Sequence, residues 1–345
     1  MNTTGDDRFS SNCWIGNPQT EVTHPDLIAA QSFGSIISKD LSPECMTTLK
    51  PIYFFNRLSG KMEQEAVYGE GFLKWAYGNP LGRLTVQALV KRAIFSQLYG
   101  WWMSRSASAA RIAPFVQSYR LDASEFEGAL ESYGSFNDFF SRRLRPGARP
   151  IDPSSESVVF PADGRHLGFQ DLSKVDRVFA KGQSFDLKTL FQDESLADRF
   201  HQGAAVFSRL CPVDYHRFHF ATSGCPEAPR LINGPLFSVN PMALRQQLAY
   251  LWQNKRMLTR LRSERLGEVL ILEIGATNVG SIIQTHQPNQ EVSKGDEKGY
   301  FRFGGSATMT FFEPGRVVLA HDLLNHTAQG IELYAPMGDV MGQMR

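Results

Sequence analysis

The runs Glu268-Val-Leu-Ile-Leu-Glu-Ile-Gly-Ala276 and Ala307-Thr-Met-Thr-Phe-Phe-Glu-Pro-Gly315 decide the fold class. Each is a short block of β-branched, aliphatic and aromatic residues closed by glycine or proline, the pattern of a strand ending in a turn. The same pattern recurs at SVVFPADG (157–164), AAVFSRL (204–210), RFHFATSG (217–224), VGSIIQT (279–285) and RVVLA (316–320). A β-rich domain is therefore expected over 151–345. Upstream, from 51 to 150, the text changes to helix-like blocks. Glu63 to Tyr77, Leu81 to Tyr99 and Ala107 to Tyr119 carry apolar residues at mixed i+3 and i+4 spacing, although Pro114 interrupts the last. Ser135-Phe-Asn-Asp138 reads as a capping-box start for a helix with Phe136, Phe139, Phe140 and Leu144 on one face, stopped by Pro146. Residues 1–50, rich in Ser, Thr, Asn and Asp, read as an extension with the composition of a partly disordered leader. The expected class is α+β: a helical, membrane-facing N-terminal region followed by a β-rich catalytic domain.

Composition narrows the possible functions. Of the 345 residues, 42% are hydrophobic and 21% charged, which excludes a disordered or low-complexity chain. Lys plus Arg number 36 against 35 for Asp plus Glu, and a net charge of +1 argues against nucleic-acid binding by bulk charge. Cys13, Cys45, Cys211 and Cys225 form no Cys-x-x-Cys pair, so a reducing compartment is the expectation. The N-terminus has no cationic segment followed by an apolar one, and nothing approaches the roughly 20 apolar residues of a spanning helix.

Charge is nevertheless uneven. Between Gly71 and Leu121 there is no Asp or Glu, while Lys74, Arg83, Lys91, Arg92, Arg105, Arg111 and Arg120 supply seven cations among nine aromatic residues. Cations mixed with amphipathic aromatics suit the surface of an anionic bilayer. The competing reading makes the aromatics helix core and the cations a solvated face. No nucleic-acid motif accompanies the charge.

Three segments hold the reactive side chains. In Phe160-Pro-Ala-Asp-Gly164 a carboxylate, Asp163, sits at a turn, which by itself is common. Asp214-Tyr-His-Arg-Phe-His219 brings His216 and His219 within four residues; without an H-E-x-x-H pattern or clustered cysteines, proton transfer suits them better than a metal. In Gly299-Tyr-Phe-Arg-Phe-Gly-Gly-Ser-Ala-Thr308 two glycines open the approach to the peptide carbonyl before Ser306. A hydrolase elbow G-x-S-x-G fails, because Thr308 stands where its second glycine belongs. A serine attacking its own preceding peptide bond fits.

With FNDFFSRRLRPGARPI (136–151), PADG (161–164), KGQSFDLKTLF (181–191), DYHRFH (214–219), LFSVN (236–240), GATNVGSI (275–282) and KGYFRFGGS (298–306) in one order, the sequence resembles the phosphatidylserine decarboxylases. The likeness runs from about Ile52 to the C-terminus, and YFFNRLSGKMEQEAVYG with the GGS ending looks most like a bacterial subgroup cleaved at Gly-Gly-Ser or Gly-Ser-Ser. Ala307 stands where many members have Thr.

The resemblance implies a proenzyme in which Ser306 attacks the carbonyl of Gly305, assisted by His219 and Asp163. The resulting ester undergoes β-elimination, and residue 306 loses ammonia to become an N-terminal pyruvoyl group, the cofactor. Two associated fragments, 1–305 and 306–345, would remain. The implied reaction is decarboxylation of phosphatidylserine to phosphatidylethanolamine and carbon dioxide, with that ketone as electron sink. By the same analogy His216 serves the decarboxylation stage, and the two histidines could exchange roles. The implied setting is peripheral, at the cytoplasmic face of the cell membrane, in a homo-oligomer with no nucleic acid and no metal. The alternatives are a decarboxylase of the same chemistry acting on a soluble amino acid, and a lipid-binding relative that never matures.

Overall fold

The computed structural model describes residues 51–66, 71, 93–177, 186–239, 244, 249–276, 282–304 and 306–345. Its centre is an antiparallel trio: β5 (Ala204–Leu210), β13 (Ser306–Phe312) and β10 (Gly267–Gly275). All seven positions of β5 and of β13 are buried, so both faces of these strands are covered. Alternation still sorts their side chains. On one face Phe207, Leu272, Ile274, Ala307, Met309 and Phe311 enter a large apolar cluster with the short helices Leu187–Phe191, Glu194–Phe200 and Tyr250–Gln253. On the other, Val206, Val269, Ile271 and Phe312 meet a second cluster beneath helix His321–Ala328. Ser306, Thr308 and Thr310 are the even-numbered positions that share this second face.

Around the trio lie β1 (Tyr53–Asn56), β2 (Lys61–Gln64), β4 (Gly164–Phe169), β7 (Cys225–Pro226), β9 (Arg256–Ser263) and β15 (Glu332–Ala335). The order is β2-β1-β15-β4-β5-β13-β10-β9-β7, with β8 (Arg230–Ile232) also paired to β9. β3 (Ser157–Val159), β14 (Val317–Leu319) and β16 (Val340–Met344) make a three-stranded sheet over the second cluster. β6 (Arg217–His219), β11 (Ile282–Gln284) and β12 (Glu297–Phe301) make another, tied to β10 by an ion pair of 2.7 Å between the fully buried Lys298 and Glu273. The class is α+β, with sheet dominating among the described residues.

The N-terminal part meets the helical expectation unevenly. Helix begins at Ala93 and runs to Met103, a 3-10 turn follows at Ser106–Arg111, and Ile112–Tyr119 is α-helical. Pro114 falls in the first turn of that helix, where a missing amide hydrogen removes no internal bond. Ser135 caps Phe136–Phe140 by accepting from the Asp138 amide at 3.2 Å, but the helix ends there rather than running to Pro146, and Leu144 instead bridges Phe126 in antiparallel fashion. Glu63 and Gln64, expected to be helical, instead finish the β1-β2 hairpin, whose turn places Gly60 at φ +66°. β1 pairs in parallel with β15, nearly 280 residues away, and this non-local pairing overrides a weak local helical spacing. The remainder of the first two helical blocks, 67–70 and 72–92, lies outside the described residues, as does the extension 1–50.

Candidate active site

Ser306 opens β13 in the middle of the large sheet, opposite Leu210 on β5 and Gly275 on β10, and is fully buried. Just before it Gly304 adopts φ +141°, a backbone region that side-chain-bearing residues avoid, as the paired glycines suggested. Gly305, the other half of the expected scissile bond, lies outside the described residues. The approach to Ser306 is pinned from the helical part. Phe303 donates its amide to Asn137 Oδ1 at 2.8 Å, and its ring packs on Phe136 and Phe140.

The structure joins Ser306 to His216. Their Oγ and Nδ1 are 3.3 Å apart, and His216 Nε2 lies 2.9 Å from the carbonyl oxygen of Cys211. A carbonyl can only accept, so Nε2 carries the hydrogen and Nδ1 is left to accept from the serine hydroxyl. The ring is stacked on Phe140 at 3.8 Å and has no exposed surface. Burial pushes the His216 pKa down to about 3, and the Arg142 guanidinium acts in the same direction.

His219 is close in the fold but differently engaged. Its backbone amide donates to Pro161 O at 2.7 Å, which draws the PADG turn against β6. Its Nδ1 donates to Gly295 O at 2.9 Å, and its Nε2 faces the Tyr215 hydroxyl at 3.3 Å. Burial lowers the His219 pKa, while the Gly295 hydrogen bond and the charges of Glu297 and Asp163 oppose that shift. Asp163, almost fully buried, accepts from Arg149 at 2.9 and 3.0 Å and from the Met337 amide at 2.8 Å. Arg149 also grips Glu125. Thus no hydrogen-bonded chain joins Asp163, His219 and Ser306, and the direct partner of Ser306 is His216.

A serine held by such an imidazole is not unique here. Ser208 Oγ lies 2.8 Å from His166 Nδ1, His166 Nε2 lies 3.1 Å from Ala335 O, and the His166 ring stacks on Phe160 at 4.0 Å. His166 is likewise pushed down to about 3 by burial. Ser208, however, sits mid-strand between β4 and β13, where regular ladders fix the peptide on either side. What separates Ser306 from Ser208 is the glycine-relaxed backbone before it, not the imidazole.

Several participants carried no role at the sequence level. Arg149 and Phe140 fall inside the 136–151 motif, and Asp214 and Tyr215 inside DYHRFH, but only the fold shows what they touch. The quoted segments KGQSFDLKTLF and GATNVGSI fall partly outside the described residues.

A family model described as phosphatidylserine decarboxylase matches residues 136–331. Phosphatidylserine decarboxylase proenzymes of Desulfitobacterium hafniense and of Fusobacterium nucleatum subsp. nucleatum are 40% and 42% identical over 291 residues, covering 84% of this chain and 98% and 97% of theirs. That of Chlamydia trachomatis is 40% identical over 294 residues, 85% of this chain and 98% of its own. With these likenesses spanning both the sheet and the site, the chain belongs to the phosphatidylserine decarboxylase family.

Proposed function

We propose that this chain is a carboxy-lyase that converts phosphatidylserine to phosphatidylethanolamine and carbon dioxide after cutting itself between Gly305 and Ser306. The observation that carries this reading is the buried Ser306 at the start of β13, preceded by Gly304 at positive φ and hydrogen-bonded to a neutral imidazole acceptor. The same residues fit a pyruvoyl group at position 306: the strand holds the position inside the protein, and His216 stands beside its side chain. Such a group supplies a ketone that accepts the electrons left when carbon dioxide departs.

In maturation the Ser306 hydroxyl attacks Gly305 C=O, and its proton goes to His219. For this, Nε2 of His219 exchanges the Tyr215 hydroxyl for that of Ser306. Asp163 and Glu297 favour the charged imidazole, whereas Arg142 disfavours it at His216. His216 orients the serine and, in turnover, is the group in contact with position 306. The two fragments stay together because the smaller one threads the larger. β13 lies between β5 and β10, β15 lies between β1 and β4, and Glu332 reaches Arg209 across the cut.

The lipid is met at a membrane surface. Trp101 and Leu98 are 58% and 63% exposed, Trp102 is partly so, and Arg105 and Arg111 lie over the two indoles at 4.0 and 4.2 Å. Phe115, by contrast, is core, so the aromatics of this stretch divide between both sequence readings. Lys74, Arg83, Lys91 and Arg92 lie outside the described residues. No helix among the described residues is long and apolar enough to cross a membrane.

Intact mass measurement of the wild-type chain and Ser306→Ala, with carbon dioxide release from phosphatidylserine vesicles, tests the reading. Two fragments meeting at 305/306 with a ketone terminus, and an inert 345-residue variant, are expected; an active uncut chain overturns it.

A further inference from the structure

We propose that Asp214 is a positioning residue that, braced by Arg165, sets which nitrogen of His216 faces Ser306; the inference rests on reading Ser306 as the reacting residue. Asp214 is buried, and it closes the turn before His216 from both sides. Its Oδ2 accepts from the Cys211 amide at 2.6 Å, and its own amide donates to Cys211 O at 2.8 Å. That Cys211 carbonyl also receives His216 Nε2–H. With the carbonyl held in place, the ring has one way to satisfy its hydrogen, and Nδ1 is presented to the serine as an acceptor.

The carboxylate is itself fixed. Arg165 Nη1 reaches both of its oxygens, at 2.6 and 2.7 Å, and Arg142 Nη2 holds the Asp214 carbonyl at 3.3 Å. Arg165 also faces Glu65 at 3.5 Å, and Glu65 pairs with Arg209 at 2.6 Å. The orientation of His216 is thus anchored in a buried ionic row crossing β4 and β5; beside the imidazole itself lie Phe140, the backbone and the Arg142 guanidinium, which disfavours the charged ring.

The test uses the full chain with Asp214→Asn, which keeps an oxygen for the Cys211 amide, and Asp214→Ala, which does not. Cleavage rate, ketone content, carbon dioxide release per ketone from phosphatidylserine vesicles, and melting temperature are measured. Asp322→Asn, which breaks a half-exposed pair with Arg57, is the stability control. For Asp214→Ala we expect a loss of about tenfold or more in cleavage rate or in turnover per ketone, since a tautomer-fixing partner is worth up to about 10⁴. The Asn variant recovers most of that loss. In the uncut Ser306→Ala background, nitrogen NMR of His216 should show hydrogen on Nε2 alone, and on both nitrogens in mixture once Asp214→Ala is added. An unchanged tautomer with unchanged rates overturns the proposal, as does an equal loss in Asp322→Asn at matched melting temperature. If the alanine variant does not fold, Arg165→Lys decides: reduced turnover per ketone supports the proposal and wild-type turnover overturns it. A Ser306→Ala chain that still cuts refutes the reading of Ser306, while the tautomer measurement judges Asp214 independently.

Discussion

Replacing His216 and His219 with alanine one at a time sets contact against electrostatics. Contact alone assigns the serine proton to His216, which is 3.3 Å from Ser306 Oγ; a hydrogen bond of that kind contributes about 1 kcal/mol. Holding the proton there is costly. A pKa moved from 6.5 to about 3 amounts to about 5 kcal/mol against the imidazolium, at roughly 1.4 kcal/mol per unit. The cost of charging the buried ring outweighs the contact, so His216 orients the serine and the proton goes to His219, where two carboxylates oppose the cost of burial. His219→Ala should therefore remain a single uncut band on a denaturing gel. His216→Ala should cut, carry a reactive ketone, and release carbon dioxide about 10² times more slowly than wild type, the order of loss when a reacting group is no longer held in position. The reasoning fails if His216→Ala stays uncut while His219→Ala matures, because charge placement would then have been outweighed by contact.

Ser208→Ala should cut at the wild-type rate, since its imidazole partner is not what makes Ser306 reactive; gel kinetics showing delayed cutting would contradict the backbone argument. Glu332→Ala removes the ion pair that joins the two fragments and leaves the buried Arg209 with Glu65, on its own side of the cut; it should destabilise the matured protein by about 1.5 to 3 kcal/mol, seen as an earlier urea midpoint. His166 stays neutral in the folded state down to about pH 3, whereas the unfolded chain binds that proton below about 6.5. Stability must then fall as pH drops through this window, by about 2 kcal/mol per such histidine at pH 5, and His166→Gln should flatten that part of the urea-unfolding profile. Trp101→Ala with Arg105→Ala should weaken binding to anionic vesicles, and wild-type binding should decline as salt shortens the Debye length to about 8 Å; salt-independent binding would remove the electrostatic contribution.

The sequence alone determined the strand-rich half, because runs such as 268–276 and 307–315 announce both their period and their turns locally. It also determined the capped start of the helix at Ser135, while residue type together with the family resemblance marked Asp163, His216, His219 and Ser306 as candidates. Local patterns could not show that residues 61–64 form a strand, since that outcome depends on β1 finding β15 at the far end of the chain. Nor could they show which imidazole meets the serine. His216 and Ser306 are 90 positions apart, and their contact is made by β12, β13 and the Cys211 turn together. Asp163 looked like a partner for a histidine and proved to be a partner of Arg149. Type and spacing reveal which groups can do chemistry, because those properties belong to each residue. Which groups touch, and which nitrogen of an imidazole holds its hydrogen, is decided only when burial and long-range strand pairing leave each polar group a limited choice of partners.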